Sequence, residues 1–211
     1  LWPAILLGAV LGGLYALWAP LAPDRGWCAG EVAQASVMTL FMVPFATGKS
    51  PIDPVLFPIN TPFWSLFYEL VMSLAWGLVL RRVPPVLLLG AFVVITALVF
   101  GPLNSFAIGS LSGEHAYGLA RVGLGFSAGL FAYQLFAARP FALPGLMALP
   151  LVAVFIGSFA LPTGYGLWED FGAALLLFPA LVYIGAAIRT GGLGGRLVVW
   201  LGNVSYPLYG V

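Results

Sequence analysis

From Val86 to Phe100 the chain reads V-L-L-L-G-A-F-V-V-I-T-A-L-V-F, without a charged side chain. Backbone N–H and C=O groups in hydrocarbon have no water to bond, so a run like this is confined to structure that satisfies them internally. Predominantly apolar runs cover residues 1–21, 31–46, 62–80, 86–100, 117–137, 145–161 and 171–188, and a partial one starts at 197. The expected fold is an all-α membrane protein: one polytopic transmembrane helix bundle over residues 1–211, with about seven to eight apolar segments. Composition agrees, with 62% hydrophobic and 7% charged residues and a mean hydropathy of +1.05. Soluble domains average about 45–50% apolar and about 25% charged.

The net charge of +1 carries no signal for nucleic acid, and the longest basic cluster is Arg81-Arg82. A lone Cys28 cannot form an internal disulfide. The chain begins at Leu1 with no charged leader region and stops at Val211 a few residues into an apolar run. It is therefore expected to be a segment of a longer protein.

Two early regions resist a simple reading. Residues 1–21 can span and carry Gly8 and Gly12 at GxxxG spacing, which permits close helix contact. Residues 31–46 fall short of the roughly 20 residues a span needs, so a tilted span and a re-entrant or interfacial piece are both open. Residues 22–30 form a polar break, and 47–61, with Lys49, Pro51, Asp53, Pro54 and Pro58, should be an irregular loop. The glycine run 191–195 has neither a preceding strand nor a following Gly-Lys-Ser/Thr, and is read as a linker.

From residue 62 onward the charges separate by sign. Under the span count Arg81, Arg82, Arg139, Arg189 and Arg196 fall on one side, and Glu114, His115, Glu169 and Asp170 on the other. The positive-inside rule assigns the arginines to the cytoplasm. The start of segment 62–80 then lies at the outer face.

That segment carries the chemistry. It reads N-T-P-F-W-S-L-F-Y-E-L-V-M-S-L-A-W from Asn60, with Thr61 placed to cap and Pro62 suited to the first helical position. Glu69 comes about 10 Å further along the helix, roughly a third of the way into a core about 30 Å thick. A carboxylate at that depth costs several kcal/mol unless paired, protonated or wetted. Ser65, Glu69 and Ser73 recur at i, i+4, i+8 and are expected to share a face. Two readings of Glu69 stand: a structural carboxylate, paired most naturally with Arg121 in the outer third of segment 117–137, or part of a site. Either one implies a polar pocket opening outward. Arg121 alone is also shallow enough to snorkel.

His115 is the only histidine, and without a second His or Cys nearby a metal site has no support. It reads as a solvated loop residue. Trp64, Tyr68 and Trp76 flank the Glu69 helix, and interfacial anchoring accounts for Trp64 and Tyr68 without a substrate. Glu169-Asp170 suits a helix N-terminus. These observations stop at a polytopic membrane protein with an outward polar site, and do not separate enzyme from transporter.

A resemblance extends the reading. Residues 62–69, P-F-W-S-L-F-Y-E, are similar to the Trp-Ser-Leu-x-x-Glu helix of the acyltransferase-3 family of integral membrane O-acyltransferases. Residues 121–129, R-V-G-L-G-F-S-A-G, resemble its Arg-x4-Phe-x2-Gly helix, and 201–209, L-G-N-V-S-Y-P-L-Y, the start of its last helix. Leu1-Trp2-Pro3 is similar to the end of its Arg-Leu-Tyr-Pro stretch. The family's histidine and arginine motifs on the first helix have no counterpart here and are expected upstream of Leu1. His115 matches no family position.

The resemblance implies transfer of an acyl group, above all acetyl, from acyl-CoA to a hydroxyl of a cell-surface or lipid-linked glycan. It implies a bacterial inner-membrane location and no bound cofactor. Glu69 would be catalytic, orienting or charge-stabilising the absent histidine base, while Trp64, Ser65, Tyr68 and Arg121 would bind substrate. The rival expectations are a transporter or flippase for a lipid-linked glycan and a non-catalytic membrane scaffold.

Overall fold

The structure is a computed structural model. It describes residues 6–11, 14, 29–45, 55–103, 108–160, 167–189, 191, 192, 194–196, 199 and 200. Most of the expected first span, the polar break, Gly12, most of the 47–61 loop, the segment from 197 and both terminal resemblances lie outside these residues.

The described chain is mainly helical, as expected of an all-α protein. Its helices are α1 (Ala29–Leu40), α2 (Phe63–Leu78), α3 (Pro85–Phe100), α4 (His115–Ala138), α5 (Ala148–Ala160), α6 (Leu167–Gly172) and α7 (Phe178–Ala187). Three stretches are long and apolar enough to cross a membrane: Pro85–Leu103, His115–Ala138 and Leu167–Ala187. Phe63–Leu78 and Gly145–Ser158 are shorter apolar helices. The expectation of an all-α protein therefore holds, and among the described residues three helices are long and apolar enough to cross a membrane.

The chain forms two compact units. The first draws on Leu1–Val71 and Ile108–Gly118. Its core packs Val32, Ala35 and Phe45 with Met38 and Ile59. Gly8 sits so close to Ile59 that an added Cβ would lie 2.6 Å from the Ile59 carbonyl oxygen, so the glycine permits this approach. Helix α1 has 12 residues, about 18 Å of rise, too short to cross about 30 Å of hydrocarbon alone. It stops ahead of Pro44. Val43 N–H donates to Met38 O (2.8 Å) and Met42 N–H to Thr39 O (3.0 Å), with Met42 at φ +56°. This Schellman end closes the orphan carbonyls. Inside α1, Ser36 and Thr39 donate their hydroxyls to the carbonyls of Val32 and Ala35, both at 2.7 Å.

The 47–61 stretch is more ordered at its end than expected. Val55 forms an antiparallel bridge with Leu111, Leu56 N–H donates to Ser110 O (3.2 Å), and Phe45 N–H donates to Leu56 O (2.8 Å). These bonds bring the chain before α2 and the chain before α4 side by side.

The second unit draws on Met72–Ala107 and Leu119–Val199. Helices α3 and α4 meet at Ala120 and Gly123, part of a buried stripe of small residues on α4 that continues through Ser127, Ala128 and Ala132. A Cβ on Gly123 would collide with the Phe92 ring. Buried Thr96 donates its hydroxyl to Ala120 O at 3.2 Å. Helix α5 packs on α7, with Leu151 against Gly185.

Between α6 and α7 the chain makes a π turn, Ala173–Leu177. Pro179 explains it: proline lacks an N–H, and its ring would press on the carbonyl of Leu175, so a wider turn relieves the clash. A two-residue parallel pair, β1 (Leu143–Pro144) with β2 (Ile188–Arg189), ties the exit of α7 to the chain after α4.

Candidate functional site

Helix α2 starts without its expected cap. Thr61 is exposed and makes no capping bond among the described residues. Instead the N–H groups of Phe63, Trp64 and Ser65 donate to the carbonyls of Asn60, Thr61 and Pro62 at 3.1–3.2 Å. A tight first turn thus satisfies donors that a side-chain cap would otherwise take. The turn is sealed by rings, with Phe57 6.3 Å from Phe63 and 5.9 Å from Phe67, centroid to centroid.

The expected polar face divides. Ser65 is buried, and its hydroxyl donates to Pro62 O at 3.1 Å, while Glu69 and Ser73 are exposed. Four residues advance a helix by one turn plus about 40°, so the i, i+4, i+8 row drifts out of the buried side. Within its own unit Glu69 makes no hydrogen bond or ion pair with a described residue. Arg121, half-buried on α4, belongs to the second unit.

Tyr68 is a polar group of α2 whose hydroxyl meets a side chain far along the sequence. It is 3% exposed, its ring lies 5.1 Å from Phe67 and 6.3 Å from Trp64, and its hydroxyl is 2.9 Å from His115 Nδ1. With the imidazole proton on Nε2, the phenol donates to Nδ1; in the imidazolium, Nδ1–H donates to the phenol oxygen. The phenol is covered while the imidazole sits at the surface.

His115 is thus the first residue of α4 and the partner of Tyr68, rather than a solvated loop residue. Three features hold it there. Glu114 Oε2 accepts the N–H groups of Gly109 (2.8 Å) and Leu111 (3.2 Å), fixing the loop against the helix start. Gly109, at φ +131°, and Gly118 back onto each other, and a Cβ on Gly118 would strike the Tyr68 ring. Finally, the bridge from Val55 to Leu111 tethers the loop to the chain before α2.

Sequence reasoning undervalued His115 and Glu114. Their signal was weak: an acid and the sole histidine at the head of an apolar run, with the partner 47 residues away. Among the described residues no group of three His, Cys, Asp or Glu could hold a metal ion. Trp64 is half-buried beside Tyr68. Glu169 and Asp170 fall in the first turn of α6, where acids suit the helix dipole.

No family model, curated protein or solved structure matches this chain.

Proposed function

We propose that the chain is the membrane domain of an O-acyltransferase, moving an acyl group from acyl-CoA to a hydroxyl of a cell-surface or lipid-linked glycan. The observation that carries this reading is local. The stretch 64–69, which resembles the acyltransferase-3 signature, opens an apolar helix where a buried tyrosine meets the only histidine at 2.9 Å beside an exposed carboxylate.

In this reading Glu69 orients the base that deprotonates the acceptor hydroxyl, or stabilises the charge developing on it. No residue of 1–211 matches the family's histidine, so none is assigned as that base. Trp64 presents ring surface to the sugar, and buried Tyr68 backs it, its hydroxyl held in one orientation by His115. Ser65 contributes by shaping the first turn, because its hydroxyl already donates to Pro62 O. Arg121 would hold an anionic group of a substrate. The arginines at the other helix ends would face the cytoplasm, the side of the acyl-CoA donor.

The deciding experiment follows label from acetyl-CoA into glycan in membranes carrying the full-length protein or its Glu69→Gln variant. Loss of transfer at normal membrane insertion is expected. Unchanged transfer would reduce Glu69 to a structural group. Lost glycan export, with no acyl transfer by either protein, would favour the transporter.

A further inference from the structure

At the end of α4 the chain turns through Arg139, Pro140 and Phe141 and returns beside the end of α7. A groove of about 470 Å³ opens here, lined by Phe136, Pro140, Phe141, Ala186, Ala187 and Arg189 among others. That volume falls in the range of about 300–1,000 Å³ usual for ligand sites. Its aromatic wall is braced: Phe136 and Phe141 lie 5.9 Å apart, and Tyr183 lies 6.1 and 5.3 Å from them. The backbone pairing of Pro144 with Arg189 fixes the rim.

We infer that this groove is a binding site for an anionic phospholipid, with the acyl chain against the aromatic wall and the headgroup phosphate on Arg189 and Arg139. Depth is the first reason. Helix α4 has 24 residues, about 36 Å of rise, so its last turn emerges where hydrocarbon meets headgroups. Charge is the second. Arg139 and Arg189 are exposed, and neither makes a side-chain hydrogen bond or ion pair with a described residue. In the sequence of this unit the only acids are Glu169 and Asp170, in the first turn of α6. Arg189 follows about 30 Å of helical rise later.

Both arginines follow helix C-termini, each worth roughly half a negative charge, which leaves the pair with a net positive charge of about one. A cationic ligand is repelled there, and a neutral one leaves the guanidinium donors to water. A phosphate accepts bidentate bonds from guanidinium. An apolar, ring-walled floor at interfacial depth favours a phosphate carrying an acyl chain over a soluble one.

The test uses the purified full-length protein in nanodiscs of phosphatidylcholine with phosphatidylglycerol. Lipids retained after gentle extraction are counted by native mass spectrometry. Enrichment of phosphatidylglycerol over the bulk ratio is expected for the wild type. It should fall about fivefold for each arginine removed, in Arg189→Gln and Arg139→Gln. Ala186→Trp, which fills the groove and keeps both charges, should abolish it, while Glu69→Gln should leave it intact. Retention at the bulk ratio by the wild-type protein overturns the inference whatever the variants do. So does enrichment that Ala186→Trp or Arg189→Gln leaves unchanged, or that soluble acyl-CoA displaces.

Discussion

Helices α2 and α3 have 16 residues each and are both strongly apolar, yet they use their polar side chains differently. On α3 the buried Thr96 closes on a backbone carbonyl of α4, a bond that ends in packing. On α2 the buried Tyr68 reaches a titratable side chain, and the next residue is an exposed carboxylate. Buried away from water, both hydroxyls must find partners, so the presence of a polar residue alone says little. The partner is what differs: a carbonyl can only accept, whereas an imidazole can exchange a proton and pass it on.

The strongest challenge to this contrast is chemical. Glu69→Gln in the full-length protein should lower acyl transfer by about a hundredfold or more, the scale on which acid–base groups contribute. Thr96→Val, assayed the same way, should transfer at close to the wild-type rate. Equal losses from both would erase the distinction between the helices. A second probe concerns packing. Gly123→Leu drives a side chain into the Phe92 ring and should destabilise the α3–α4 contact by about 1–3 kcal/mol in reversible unfolding from detergent.

Smaller effects sharpen the comparison. A double-mutant cycle of Tyr68→Phe with His115→Ala should show a coupling of about 0.5–1.5 kcal/mol, the usual worth of one hydrogen bond. Strictly additive losses would mean that the 2.9 Å contact contributes nothing. Thr96→Val should cost about 1 kcal/mol or less in the same unfolding assay, because Ala120 O loses only a donor.

Sequence alone placed the long apolar helices well. The expected 86–100 and 117–137 became Pro85–Phe100 and His115–Ala138, because uninterrupted apolar runs leave the backbone few alternatives. Errors came where a boundary depends on something local or distant. Glu169 and Asp170, expected at a helix N-terminus, lie in the first turn of α6, so only the start of that helix differs, at Leu167 ahead of the apolar run from 171. The short α1 ends at Leu40, set by a left-handed Met42 that no composition window reveals.

For the candidate site, Glu69 stands out as a carboxylate in an apolar run, whereas Tyr68 is accounted for by interfacial anchoring and enters the site only through the resemblance. His115 does not stand out, because its meaning comes from a tertiary contact. Ser65 looked available by helical spacing, but a serine in the first turn bonds its own backbone more readily than a ligand.

The wide turn at Ala173–Leu177 has one more consequence. It holds one residue beyond ordinary winding, so every later side chain is rotated by about 100° about the axis relative to an unbroken coil. That offset aims Tyr183 at Phe136 and Phe141. A single deletion within 173–177 would therefore misdirect the whole C-terminal half of the helix without changing any residue at its far end.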